Sequence, residues 1–115
     1  GKRPRVFKWG EQYRDFIYVK DVVAANMKAM AYKGSGVFNA GTGSPATFNE
    51  VIEALNRALK KDLTPEYFDN PYGFYQDRTH ADISLSKAAL KFSAKYGIEA
   101  GIKDYVSILK KQKRR

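Results

Sequence analysis

Twice in this chain a short apolar run leads straight into a stretch with the marks of a helix, and that alternation limits the fold more than any other feature. Arg14-Asp-Phe-Ile-Tyr-Val19 puts Phe16 and Tyr18 on one side and Ile17 and Val19 on the other. That is the pattern of a strand buried on both faces. Asp21 is placed to cap the next element. Val22 to Tyr32, rich in Ala and Met and free of Gly and Pro, reads as a helix ended by Gly34 and Gly36. Val37-Phe-Asn-Ala40 reads as a second strand running into Gly41-Thr-Gly-Ser-Pro45. Thr47 and Glu50 have the spacing of a capping box. Behind them Val51, Ile52, Leu55, Ala58 and Leu59 form a helical stripe. Thr64 to Phe68 reads as extended, and Asp69 to Gln76 as a loop of turn residues and aromatics. Ser84 is a candidate cap for a helix through Leu85, Ala88, Ala89 and Phe92. A last helix from Ile98 is expected to turn Ile102, Tyr105, Val106 and Leu109 inward. The expectation is an α/β unit of short strands with about four helices over residues 1–115, without internal repeat or linker.

Composition narrows the function classes. The 43% apolar and 14% aromatic content suits a packed domain rather than a disordered chain. No apolar run approaches the length of a membrane span, and the basic start lacks the apolar stretch of a secretory signal. With no cysteine there is no disulfide framework, and a cytoplasmic setting is expected. The net charge of +9 sits at the tips. Lys2, Arg3, Arg5 and Lys8 open the chain, and Lys110, Lys111, Lys113, Arg114 and Arg115 close it. The body between carries 12 basic and 12 acidic residues. Nucleic-acid domains place their basic residues along a folded face, so this distribution argues against nucleic acid as a partner. A non-catalytic module binding nucleic acid or protein through its basic ends is the alternative reading.

The chain carries little chemistry that is self-contained. His80 is the lone histidine, and a zinc site needs several N or S ligands, so no metal is expected. No nucleophile-elbow spacing supports a Ser-His-Asp triad. Gly41-Thr-Gly-Ser-Pro-Ala46 matches G-x-G-x-x-A after a strand, with Asp62 near the position of a ribose-binding acid. Against dinucleotide binding there, Pro45 lacks an N–H, Asn39 is polar where a buried strand is apolar, and the capping box starts the helix beyond the glycines. A strand-to-helix turn using glycine for its backbone conformation is expected instead. The residues best suited to a ligand are Phe7, Lys8, Trp9, Gly10 and Arg14, flat apolar faces beside cations. Such a set stacks on a base and forks onto phosphate oxygens. The same residues also fit a plain structural role, with Phe7 and Trp9 in a core or interface and Arg14 paired to Asp15 or another acid. Tyr75 is open in the same way.

Three segments taken in order resemble the C-terminal half of extended short-chain dehydrogenase/reductases that act on sugar nucleotides. They are Arg14-Asp-Phe-Ile-Tyr-Val-Lys-Asp21, Val37-Phe-Asn-Ala-Gly-Thr-Gly43 and Tyr75-Gln-Asp-Arg-Thr-His-Ala-Asp82. The Tyr-Gln…Thr-x-Ala-Asp form resembles most the ADP-glycero-manno-heptose 6-epimerases, enzymes of lipopolysaccharide precursor synthesis. Arg78 departs from the aromatic those enzymes carry. The resemblance implies a small substrate-binding subdomain that grips a nucleotide-diphosphate sugar, here ADP-heptose. Arg14 is then the diphosphate contact, Phe7, Lys8, Trp9 and Gly10 line the substrate, and Tyr75 belongs to the same site. Asn39, Gly41, Gly43 and Asp82 are structural in that family. It also implies NAD or NADP, held by an N-terminal Rossmann half together with the acid/base Tyr-x-x-x-Lys. None of the eight tyrosines here has a lysine four residues on, so no catalytic residue is assigned and the chain by itself is expected to be inactive. Without that half, apolar surface around 16–19 and 37–40 is expected to be exposed and to favour a homo-oligomer.

Overall fold

The computed structural model describes residues 2–69 and 80–113. In order along the chain these form β1 (Arg5–Phe7), a 3-10 turn (Lys8–Gly10), β2 (Tyr13–Arg14), α1 (Val19–Ala31), β3 (Ala46–Thr47), α2 (Phe48–Leu59), β4 (Glu66–Phe68), a wide helical turn (Ser86–Leu90) and α3 (Ile98–Lys113). The strands make two separate ladders. β1 runs parallel to β4, with Val6 opposite Tyr67, and β2 runs antiparallel to β3, with Arg14 opposite Ala46. The α/β class and the four helical segments agree with the sequence. No helix of the described residues is long and apolar enough to cross a membrane. α2 packs against α3, and the buried apolar residues among those described are few: Val6, Ala46, Ala54, Leu90, Phe92 and Val106.

The capping box forms as expected. The Thr47 hydroxyl accepts from the Glu50 N–H at 3.1 Å, and Glu50 Oε1 accepts from the Thr47 N–H at 3.2 Å. Other expectations are corrected. The ladder stops at Arg14, residues 15–18 run on without strand partners among the described residues, and α1 opens at Val19. The cause is local: the Tyr18 carbonyl accepts from both the Asp21 and Val22 N–H groups, closing the first turn on Tyr18. Residues 37–40 are likewise in no ladder with the described residues. Ser84 does not cap the following turn; the Asp82 carboxylate does, accepting from the Ser84 N–H at 3.0 Å and from its hydroxyl at 2.7 Å. Of the residues expected to face inward on α3, Val106 is buried and Ile102 half-buried, but Tyr105 and Leu109 are exposed.

Two carboxylates replace the missing ladders as ties between segments. Asp21 is not the cap of its own helix. It lies inside the first turn of α1, only 2% exposed, and accepts from the Lys95 and Tyr96 N–H groups, each at 2.9 Å. That fixes the chain as it enters α3. Asp15 reaches the Gly41–Gly43 loop. Its carboxylate accepts from the Thr42 N–H at 2.8 Å, the Thr42 hydroxyl at 2.7 Å and the Gly43 N–H at 2.8 Å. Partial burial pushes the Asp15 pKa up, but the hydrogen bonds from Thr42, Gly43 and Ala81 outweigh it and hold the group below its ordinary 3.8.

Both ties are testable. Asp21→Asn keeps the shape but aims an amide N–H₂ at one of two backbone donors. It is expected to cost about 1–3 kcal/mol in urea unfolding, and a variant as stable as the parent would remove Asp21 from this role. A depressed folded-state pKa stabilises above the unfolded value, and that contribution is lost as pH falls through the lower folded value. The parent should therefore lose stability between about pH 4 and lower pH, while Asp15→Asn starts less stable and loses less. Parallel unfolding-versus-pH curves for the two proteins would overturn the assignment.

Candidate functional site

The turn from β1 to β2 carries most of the candidate residues. Phe7 ends β1 and packs edge-on to Phe68 of β4, ring centroids 4.8 Å apart. The Arg5 guanidinium lies 4.4 Å from the centre of the same Phe68 ring. Lys8 then opens the 3-10 turn. Trp9 comes next in the left-handed region, at φ 55°, and is 68% exposed. Such a backbone costs a bulky L-residue about 1–2 kcal/mol, so something must hold it. Asn49 does, donating from Nδ2 to the Trp9 carbonyl at 2.6 Å. The Oδ1 of Asn49 accepts from the Tyr67 hydroxyl at 2.8 Å, and the Tyr67 ring centroid lies 5.8 Å from that of Trp9. Gly10 is forced by both backbone and space. Its φ is +67°, and a Cβ there would collide with Asn49 Oδ1. Buried Gln12 completes the turn, donating to the Phe7 carbonyl at 3.1 Å while its own carbonyl accepts from the Phe48 N–H at 3.0 Å.

Arg14 stands at the far end of this turn, in β2. Its Nη1 donates to the Tyr13 carbonyl at 2.8 Å, and its guanidinium carbon lies 5.7 Å from the centre of the Phe48 ring. Phe48 and Asn49 are consecutive residues in the first turn of α2. One helix start therefore holds both the arginine and the tryptophan turn. Beside the tryptophan turn, Trp9, Tyr67, Phe68 and Asp69 line an open cleft of about 300 Å³, at the small end of the range for ligand sites. Phe7, Trp9, Gly10 and Arg14 are thus brought into one neighbourhood. Tyr75 lies outside the described residues, as does Arg78. The sequence reading missed Phe48, Asn49 and Tyr67; the only hint was a Tyr-Phe pair in an extended segment opposite the aromatic strip.

The Gly41–Gly43 loop does not fit a dinucleotide. A phosphate would need the very N–H groups that the Asp15 carboxylate already occupies, and a second anion there would meet its charge. Asn39, Gly41 and Gly43 have structural roles instead. The Asn39 amide donates to the Asp82 carbonyl at 3.2 Å. A Cβ on Gly41 would meet Ala81 at 2.7 Å, and Gly43 sits at φ +76°. His80 is exposed, its Nε2 2.9 Å from the Gly43 carbonyl oxygen. Among the described residues no cluster of three His, Cys, Asp or Glu could hold a metal.

Trp9 is the single tryptophan, so tryptophan fluorescence, excited selectively over tyrosine, reports on this turn alone. Gly10→Ala is expected to displace Asn49, and Asn49→Ala to free the Trp9 carbonyl. Both should change the Trp9 emission and anisotropy in the native state. Spectra identical to the parent in both variants would show that Asn49 does not hold the turn.

Residues 1–41 match the NAD dependent epimerase/dehydratase family. The ADP-L-glycero-D-manno-heptose-6-epimerase of Brachyspira hyodysenteriae is 34% identical over 116 residues, covering 96% of this chain and 36% of that protein. The corresponding epimerase of Helicobacter pylori has a similar fold, with a TM-score of 0.84 and 36% identity over 94% of this chain and 33% of its own. The UDP-glucose 4-epimerase of Thermotoga maritima, solved with UDP-glucose, gives a TM-score of 0.88 and 32% identity over 96% of this chain and 36% of its own. The chain spans about a third of the length of the relatives it matches. Its motifs, its sequence and its fold agree: the chain resembles the C-terminal part of sugar-nucleotide epimerases of the short-chain dehydrogenase/reductase kind, and its first 41 residues match the NAD dependent epimerase/dehydratase family.

Proposed function

We propose that this chain grips the nucleotide sugar in an NAD(P)-dependent epimerase, with ADP-heptose as its substrate, in the cytoplasm. The observation that carries the reading is the shared support of Trp9 and Arg14 by Asn49 and Phe48. An exposed indole held in a costly backbone conformation, with Tyr67 beside it, offers a flat face to a base. A guanidinium presented from the same helix start offers forked donors to a diphosphate. The family resemblance assigns Phe7, Lys8, Gly10 and Tyr75 to the same substrate grip. The match to heptose epimerases of two organisms supports the choice of sugar.

The reaction itself is assigned to other residues. No group of this chain is given a proton-transfer or hydride-transfer role, and its glycine loop is filled by Asp15. Cofactor and acid/base groups belong to a dinucleotide-binding half that is this chain's partner in the enzyme. The chain alone is expected to bind a nucleotide sugar weakly and not to turn it over.

Titration of the chain with ADP-heptose and with UDP-glucose, followed by Trp9 fluorescence, tests this. Quenching by ADP-heptose is expected, with an affinity roughly tenfold or more lower in Arg14→Ala. Arg14→Lys should recover only part of it, because an ammonium cannot make the forked contact. Equal affinity in parent and Arg14→Ala would sink the assignment of Arg14. Salt-sensitive quenching by DNA, with none by either nucleotide sugar, would favour the basic ends instead.

A further inference from the structure

In the sequence the basic groups sit at the two ends of the chain; in the fold those ends meet. The Arg3 guanidinium donates from Nε to the Thr64 carbonyl and from Nη2 to the Pro65 carbonyl, each at 2.8 Å. That sets Lys2 and Arg3 beside the segment leaving α2. The segment is pinned in turn by Asn56, whose amide donates to the Leu63 carbonyl at 3.0 Å and accepts from the Leu63 N–H at 3.2 Å. The turn so closed carries Lys60 and Lys61, both exposed. Ala58, in the last turn of α2, shares an open hollow of about 280 Å³ with Lys103, Val106, Ser107, Lys110 and Lys111 of α3. On α3 those three lysines and Ser107 fall within roughly 100° of the helix circumference. Basic residues from both ends of the chain and from its middle thus gather around the end of α2.

Carboxylates do not neutralise this gathering. The ion pairs among the described residues are Lys20–Asp104 and Arg57–Glu99, and neither includes Lys60, Lys61, Lys103, Lys110 or Lys111. Lys111 is within electrostatic reach of Asp104. That carboxylate, however, already accepts from the Tyr18 hydroxyl at 2.6 Å and from the Lys20 ammonium at 2.8 Å. Asp62 follows Lys61 in the turn and pairs with neither lysine there. The partial negative charge at a helix C-terminus favours a cation, which accounts for Lys60, Lys61, Lys110 and Lys111 one helix end at a time. It does not account for Lys103, in the first half of α3, nor for bringing like charges together, which repel.

The kind of charge points to the kind of partner. The guanidinium groups at this end are engaged: Arg3 by two carbonyls, Arg5 over the Phe68 ring and Arg57 by Glu99. What remains is ammonium groups, which act as hydrated point charges and do not fork onto a single phosphate. No aromatic ring lines the hollow, whose floor is half-buried Ala58 and buried Val106, so a single-stranded nucleic acid finds no stacking platform there. Clustered lysines with no demand for fixed geometry suit a fluid sheet of anionic headgroups, where the attraction of each adds to that of the next. We infer that Lys60, Lys61, Lys103, Lys110 and Lys111 form a docking surface for an anionic phospholipid bilayer, with the protein resting on the headgroups without crossing them. The grip proposed for the nucleotide sugar stands at the other end of α2. Along a helix of 12 residues that is about 18 Å away, well beyond a Debye length of about 8 Å.

Cosedimentation of the full chain with vesicles tests this, comparing phosphatidylcholine alone with phosphatidylcholine plus phosphatidylglycerol. Binding is expected to the second kind and not to the first, and is expected to fall as salt rises. Lys103→Glu with Lys110→Glu should weaken it roughly tenfold or more, with the melting temperature unchanged because both positions are exposed. Lys60→Gln with Lys61→Gln, on the other helix, should weaken it roughly tenfold as well. Equal binding to both vesicles, binding to neither, or binding that ignores salt overturns the inference. So does tighter binding to an RNA or DNA oligonucleotide than to the anionic vesicles. Binding that ignores both double variants and disappears when the chain is ended after Lys111 would belong to the tail alone, and overturns it too. ADP-heptose should quench Trp9 equally in the parent and the lysine variants, and Arg14→Ala should leave vesicle binding intact. Failure of the nucleotide-sugar grip and failure of the bilayer surface are thereby told apart.

Discussion

The carboxylate of Asp15 sits where donors from a loop 27 and 28 residues away converge. Most of the described site depends on that convergence. Gly41–Gly43 is the approach to β3, β3 is the ladder partner of β2, and α2 starts directly after it. Phe48 and Asn49, which hold Arg14 and the Trp9 turn, therefore stand where Asp15 puts them. A charged acceptor with several N–H and O–H donors is worth more than a neutral one, about 1.5–3 kcal/mol per bond. A two-residue ladder has little else to hold its register.

Asp21 and Asp82 repeat the device. Asp21 takes two N–H groups ahead of α3, and Asp82 takes the Ser84 donors that start the next helical turn. With so few fully buried apolar side chains among the described residues, the architecture relies on carboxylates, buried at Asp21, half-buried at Asp15 and exposed at Asp82, to satisfy backbone donors where longer sheets would use ladder bonds. Each tie joins segments distant in sequence except the Asp82 cap, which is local.

How much could be read from the sequence depends on how local the cause is. The Thr47–Glu50 box, the span of α2 and the start of α3 rest on side chains within a few residues of each other, and they stand where expected. The strand assigned to 14–19 failed because apolar residues on both faces signal double burial without naming the element, and the Tyr18 carbonyl starts a helix instead. The segment 37–40 has a strand's composition but no strand beside it among the described residues. Asn49 and Tyr67 were invisible, since their bonds span 40 and 18 residues and leave no periodic trace. At the site, Trp9, Gly10 and Arg14 were legible as a chemical set, but the support that brings them together was not.

The charge arrangement at this end bears on the role proposed for Arg14. Two backbone features here could attract an anion, the glycine loop and the start of α2. Both are already served from within: Asp15 fills the loop, and Thr47 and Glu50 close the box at the helix start. An incoming diphosphate cannot use those donors without displacing a carboxylate that holds the fold. In the proposed grip it would meet side-chain cations instead, and the guanidinium of Arg14 is the one supported by the same helix turn that supports Trp9. Recognition of a phosphate by side chain rather than by backbone keeps the anion and the scaffold independent. The fold can therefore be complete before the ligand arrives, with Asp15 supplying in its interior the negative charge that a nucleotide would otherwise have to bring.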